Sequence, residues 1–105
     1  MMPPFEGFDW DEGNRAKCTK HGLSVEQIES VFCGSMSVFP DLAHSVIEAR
    51  YYGIGHTEDG RHVLAVFTYR QVADKLLLRP ISARFMHAKE ITHYEIQTES
   101  PPKKT

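Results

Sequence analysis

The chain has 105 residues, 41% of them hydrophobic and 25% charged, with a formal net charge of -2. That length suits one domain with one modest core, and the ordinary composition argues against wholesale disorder. No apolar run approaches the roughly 20 residues that span a bilayer. The acidic opening MMPPFEGFDWDE lacks the apolar region of a signal peptide, and two cysteines make no disulfide framework. A cytoplasmic protein with reduced thiols is therefore expected.

Residues 5–10 alternate loosely, with Phe5, Phe8 and Trp10 apolar, and predict a short first strand. Trp10 is read as a core anchor rather than a base-stacking platform. Asp9 or Asp11 can cap the helix that follows, and Asp11 and Glu12 place negative charge at its positive end. This helix is predicted to run to about His21, with Asn14, Lys17, Cys18 and His21 on one face. Lys20 and His21 fall in its last turn, where cations complement the helix dipole. Gly22 suits the left-handed residue that ends a helix.

Ser24-Val25-Glu26-Gln27 is a capping-box pattern, flanked by Leu23 and Ile28 at the staple positions. It predicts a second helix over residues 25–33. Val25, Ile28, Val31 and Phe32 form its apolar stripe, Glu26 and Glu29 face away, and Gly34 ends it. The two helices make a tight helical hairpin.

Residues 35–39 read as a short strand stopped by Pro40, and residues 41–49 as a loop or a helical turn. A hairpin follows: a strand over 51–57, an Asp59-Gly60 turn, and a partner over 62–70. The partner is apolar on both faces, so it belongs in the middle of a sheet. Residues 71–74 turn the chain into a strand over 75–83, where Pro80 implies an edge position or a bulge. A helix is expected over 86–96. The order β-α-α-β-β-β-β-α describes an α+β domain with a mainly antiparallel sheet. Residues 1–97 form the single expected domain, and residues 98–105 a flexible tail.

The acidic net charge hides an uneven distribution. Between residues 61 and 89 the cations Arg61, Arg70, Lys75, Arg79, Arg84 and Lys89 meet a single acid, Asp74. Local potential rather than net charge steers a polyanion. Such a run is also what a solvated basic face looks like.

Several chemistries lack their residues. The Gly53-Ile54-Gly55 stretch is no phosphate loop, since no Lys-Ser/Thr follows it. Cys18 and His21 are three apart and His87 and His93 six apart, with no further ligands at metal-site spacing, so neither a metal nor any other cofactor is expected. Cys18 shares a helix with His21, with no elbow to expose its thiol as a nucleophile. What remains is a set of cations at element ends: Lys17, Lys20, His21, Arg50, Arg70 and Arg84. RNA phosphodiester cleavage needs a proton acceptor for the 2′-oxygen, a proton donor for the 5′-oxygen, and positive charge for the phosphorane. Arginine offers a fork for phosphate oxygens. Histidine can exchange protons near neutrality. Fixed cations can stabilise the charge without a metal, and a surface that only binds nucleic acid would use the same residues. Tyr94 can stack on a base or pack on the sheet. Glu90 is expected to pair with Arg84 or Lys89, and Glu48, close to Arg50, is a salt-bridge partner or a proton acceptor.

The motifs, taken together, resemble the BrnT family of toxins from type II toxin–antitoxin pairs. They are W-D-E at Trp10, K-H-G at Lys20 followed by Leu23-Ser24, E-x-R at Glu48, I-G at Ile54, D-G-R at Asp59, F-T-x-R at Phe67, I-S-A-R at Ile81 and K-E-x-x-x-Y at Lys89. The resemblance implies a RelE-like α+β fold and a metal-independent endoribonuclease that blocks translation. It implies neutralisation by a BrnA-like ribbon-helix-helix antitoxin in a heterotetramer, and operator DNA bound only through that complex. His21, Lys20, Arg50, Arg70 and Arg84 are the matching catalytic candidates, with Lys17, Arg79, Lys89 and Tyr94 as RNA-binding candidates. The chain departs from the family at Asn14, where a lysine is usual, and at Cys18, Val25 and Met86. The loss of charge at Asn14 raises the alternative of a catalytically weakened module that binds its antitoxin and acts through operon autoregulation.

Overall fold

The computed structural model describes residues 4–44 and 48–99. Helices α1 (Glu12–Thr19) and α2 (Val25–Cys33) form the hairpin, followed by β1 (Ser37–Pro40), a single 3-10 turn at Leu42–His44, β2 (Tyr51–His56), β3 (His62–Val72), β4 (Lys75–Phe85) and α3 (Ala88–Glu99). The four strands form one antiparallel sheet in the order β1-β2-β3-β4. This is the expected α+β arrangement of N-terminal helices, antiparallel sheet and C-terminal helix.

Both hairpin helices start on reciprocal caps. Ser24 Oγ accepts from Gln27 N at 3.0 Å while Ser24 N donates to Gln27 Oε1 at 2.9 Å. The hairpin bend needs Gly22, whose φ of 99° lies in the left-handed region. α1 stops at Thr19, two residues short of the predicted end at His21, because that bend begins at once. Leu23, Ile28, Val31 and Phe32 are all buried, so the staple and the stripe of α2 both face the core.

The core lies between the helices and one face of the sheet. The register places Tyr51, Gly53 and Gly55 of β2 beside Phe67, Ala65 and Val63 of β3 on that face. Phe67 is its hub. Its ring meets Phe32 edge-on at 5.1 Å and stacks on Tyr51 at 5.7 Å. Gly55 lets α2 approach, since a Cβ there would sit 2.8 Å from Val31 Cγ1. The Gly-Ile-Gly stretch therefore serves packing.

Three expectations need correction. The predicted first strand is only an isolated parallel bridge, Phe8 opposite Leu78. Its backbone bonds β4 from Glu6 N to Leu76 O, Leu78 N to Gly7 O and Asp9 N to Leu78 O. Phe5, Phe8 and Trp10 all pack on the core, and the three-residue step from Phe5 to Phe8 breaks the two-residue alternation of a strand. The turn predicted over 71–74 is tighter: β3 continues to Val72, and Ala73 with a φ of 56° turns the chain into Lys75. At the C-terminus α3 reaches Glu99, so residues 98 and 99 are helical, and residues 100–105 of the expected tail lie outside the described residues.

Pro80 has the predicted effect. β4 is the last strand of the sheet, and its register against β3 slips by one residue between Val66 and Phe67: Phe67 faces Pro80, while Val66 faces Ser82. Ile81 is the bulged residue. This slip has a consequence for function. Alternation alone would put residues 79 and 84 on opposite faces. With the bulge, Arg79, Ser82 and Arg84 lie opposite Thr68, Val66 and Leu64, all on the face away from the core.

Candidate nucleic-acid interface

α1 is bolted to this bulge. Asn14 Nδ2 donates to Pro80 O at 2.8 Å and to Asp9 O at 2.9 Å, while Asn14 Oδ1 accepts from Asp11 N at 2.7 Å. Asn14 is buried. It acts as a structural bolt, and a lysine there could not accept from Asp11 N. Asn14→Ala is expected to destabilise the fold by about 1–3 kcal/mol, because Pro80 O loses a buried partner. Urea unfolding reads this loss; a change below about 0.5 kcal/mol would contradict the assignment.

With α1 held on the edge strand, its basic side chains flank the open face of the sheet. One cleft, of about 370 Å³, is lined by Lys17, Lys20, His21, Ser82 and Arg84. A neighbouring cleft, of about 320 Å³, is lined by Lys17, Glu48, Arg50, Arg70 and Arg79. Lys17 borders both, so they form one cationic strip. Arg84 and Arg79 are four β3 partners apart, which is about 13 Å of strand. That is enough to run along a short single strand. Leu64, Val66 and Ser82 form its floor.

Arg84, Arg79 and Arg70 in the strip carry acidic partners. Arg84 holds Glu90 in a two-pronged pair, with both N–O distances at 2.8 Å. The Arg84 guanidinium, helped by the backbone N–H of His87, pulls the Glu90 carboxyl down from 4.5 to about 2. Arg79 binds Asp11 at 2.7 Å and Asp9 at 3.5 Å, tying the cap of α1 to β4. Donation from Asn14 N, then from Arg79, holds the Asp11 carboxyl below its ordinary range. Glu48 pairs with Arg70 at 3.3 Å, although the sequence put it beside Arg50. The segment leading to Arg50 is fixed by Thr68 Oγ1, which donates to Ala49 O at 2.6 Å.

The depressed Glu90 pKa has a pH consequence. A carboxyl lowered in the folded state adds stability that is present above its ordinary pKa and is lost as pH falls through the lowered one. The Arg84–Glu90 tie between β4 and α3 should thus persist to about pH 2. An NMR titration of the Glu90 carboxyl is expected to show a midpoint near 2 in the native protein, moving up by more than one unit in Arg84→Ala. An unchanged midpoint would refute the pairing.

Other candidates fall elsewhere. Lys89 is exposed at the start of α3 and borders neither basic cleft. Tyr94 packs on the sheet: its hydroxyl lies 2.8 Å from Ser37 Oγ and its ring 6.2 Å from that of His62. Arg61 leaves the basic run to lie over Phe85, 3.6 Å from the ring centroid. Trp10 is a core anchor, its Nε1 donating to Glu29 Oε2 at 2.9 Å, so Glu29 does not face freely outward as predicted. Cys18 is fully buried, and desolvation pushes its thiol up to about 11. It is a core residue and no thiolate nucleophile. Among the described residues no group of three or more His, Cys, Asp or Glu could hold a metal ion.

Sequence reasoning missed Ser82 and Thr68 as parts of the open face. The alternation of Ser82 with Arg84 was a usable signal, but the bulge concealed its relation to Arg79.

The profile of the BrnT ribonuclease toxins of type II toxin–antitoxin systems matches residues 10–90, most of the chain. The chain belongs to the BrnT family. The matched stretch contains every element of the cationic strip, from α1 to Arg84 and Glu90. BrnT membership makes this chain a member of a ribonuclease toxin family that works with an antitoxin. A comparison with curated proteins gives no match. Among the described residues no helix is long and apolar enough to cross a membrane.

Proposed function

We propose that this chain is an endoribonuclease that cleaves RNA at the cationic strip, independently of metal ions, and thereby inhibits translation in the cytoplasm. The observation that carries the reading is the convergence of Lys17, Lys20, His21 and Arg84 on one cleft, from a helix and a strand far apart in sequence. The 2′-oxygen loses a proton and attacks phosphorus, the P–O5′ bond breaks, and the departing 5′-oxygen takes up a proton, which leaves a 2′,3′-cyclic phosphate. The Arg84 fork and the ammonium groups of Lys17 and Lys20 take up the negative charge that develops on the phosphate oxygens. His21, exposed at the mouth of the hairpin, exchanges the proton. Arg50 and Arg70 hold a neighbouring phosphate of the same strand, with Arg79 behind them.

A BrnA-like ribbon-helix-helix antitoxin is the proposed partner. It would neutralise the toxin in a heterotetramer that touches operator DNA only through the antitoxin. The test is induced expression with translation and RNA integrity followed together. Slowed growth, reduced translation and RNA fragmentation are expected. Unaltered growth with intact RNA would refute the proposal.

One observation favours a second reading. Arg70, Arg79 and Arg84 are each already paired with a carboxylate, as suits a weakened module that binds its antitoxin and acts through operon autoregulation. In that case wild type and Arg84→Ala grow equally on induction, whereas a nuclease is relieved by the substitution.

A further inference from the structure

The open face of the sheet carries a second kind of surface beside the basic strip. A cleft of about 340 Å³ lies between the sheet and α3, with Phe39, Tyr52, Leu64 and Met86 as apolar walls and Glu90 and His93 at its polar edge. Phe39 and Tyr52 are cross-strand partners whose rings stack at 5.2 Å and 28°. Leu64 lines both this cleft and the basic one. The Arg84–Glu90 pair bridges them, with Arg84 on the basic side and Glu90 on the aromatic side. An apolar, ring-walled slot opening beside a phosphate-binding fork matches the chemistry of one nucleotide: a flat base joined to an anionic backbone.

We propose that this cleft is a nucleobase subsite, in which the base adjoining the phosphate held at Arg84 packs against Tyr52 and Phe39 while Glu90 and His93 meet its polar edge. The proposal rests on the reading of the cationic strip as an RNA site. Single-strand recognition commonly works this way, with bases splayed onto aromatic side chains and the backbone held by cations. Two features favour a base over an apolar peptide segment: the cleft is continuous with the cations, and its edge carries a carboxylate and an imidazole. Among the described residues Glu90 Oε2 accepts only from Arg84, which leaves lone-pair capacity for a base N–H. Tyr52 and Glu90 would then be positioning and specificity residues, with the charge chemistry left to the basic cleft.

The test uses the full chain and a labelled, uncleavable 2′-O-methyl hexanucleotide, with one abasic residue moved through each position. Fluorescence anisotropy reads the affinity. In wild type one position is expected to weaken binding by about 5- to 150-fold when its base is removed, the range set by a single base–aromatic stack. In Tyr52→Leu that position should lose its effect, and Tyr52→Phe should restore it. Lys20→Ala should weaken the intact and abasic strands alike. Loss of the base effect in Tyr52→Leu with rescue by Tyr52→Phe cannot come from misfolding alone. A flat abasic scan in a wild type that still binds the strand would overturn the subsite and leave the cleft to a protein partner. Failure of the intact strand to bind at all would instead overturn the RNA-site reading itself.

Discussion

Arg84→Ala is expected to lower RNA cleavage by about 10²- to 10³-fold, the usual cost of removing one preorganised donor from a developing anion. The fold should survive it. Both side chains of the Arg84–Glu90 pair are about one-third exposed, at 34% and 36%, and such pairs contribute about 0–1 kcal/mol. The loss therefore reports on the site and not on folding. Arg84→Lys should recover only part of the rate, since an ammonium keeps the charge but not the fork. Glu90→Gln separates the two duties of Arg84. It keeps the shape of the pair and an acceptor oxygen for the base edge, and it removes only the competing negative charge, so cleavage should be retained or rise. Steady-state kinetics on a short RNA, with circular dichroism as the folding control, measures all three. Equal cleavage by wild type and Arg84→Ala would remove Arg84 from the site.

Phe67→Ala is expected to cost about 3–5 kcal/mol. Phe67 is fully buried and in ring contact with α2, β2 and a β3 neighbour through Phe32, Tyr51 and Tyr69. A domain of this size holds about 5–15 kcal/mol in all, so one such cavity consumes a large share of it. The urea midpoint should fall steeply, and α2 and the sheet should loosen together. A loss below about 1.5 kcal/mol would mean that the core is not centred on Phe67. The comparison also shows why the surface pairs do not hold the molecule up: a single buried ring outweighs several exposed ion pairs.

Local rules carried the helical hairpin. The Ser24–Gln27 box, the Leu23 and Ile28 staple and Gly22 each act within a turn of chain, so their outcome is visible in the residues themselves. The Asp59-Gly60 hairpin and the Pro80 bulge were legible for the same reason. The strand over residues 5–10 was misread because the apolar character of Phe5, Phe8 and Trp10 answers to a core assembled from distant elements. The site was legible by residue type and not by arrangement. Lys17, Lys20, His21 and Arg84 could be named from charge and position, but their convergence depends on Asn14 reaching Pro80 O across 66 residues. The bulge that turns Arg84 to the same face as Arg79 depends on the pairing of β3 with β4. The pairing of Glu48 with Arg70 rather than Arg50 is likewise a tertiary fact. Lys89 and Arg61 belong to the same basic run in sequence, yet the fold sends them away from the strip.

In the proposed reaction, fixed cations on the open sheet face drive attack by the RNA's own 2′-oxygen. The most direct measurement is the chemistry of the product ends, with purified protein, a chelator present throughout, and RNA and DNA strands of one sequence. The RNA is expected to be cut to fragments ending in 2′,3′-cyclic phosphate, and the DNA to stay whole. Cleavage that stops with the chelator, or fragments that end in a 3′-hydroxyl, would contradict it.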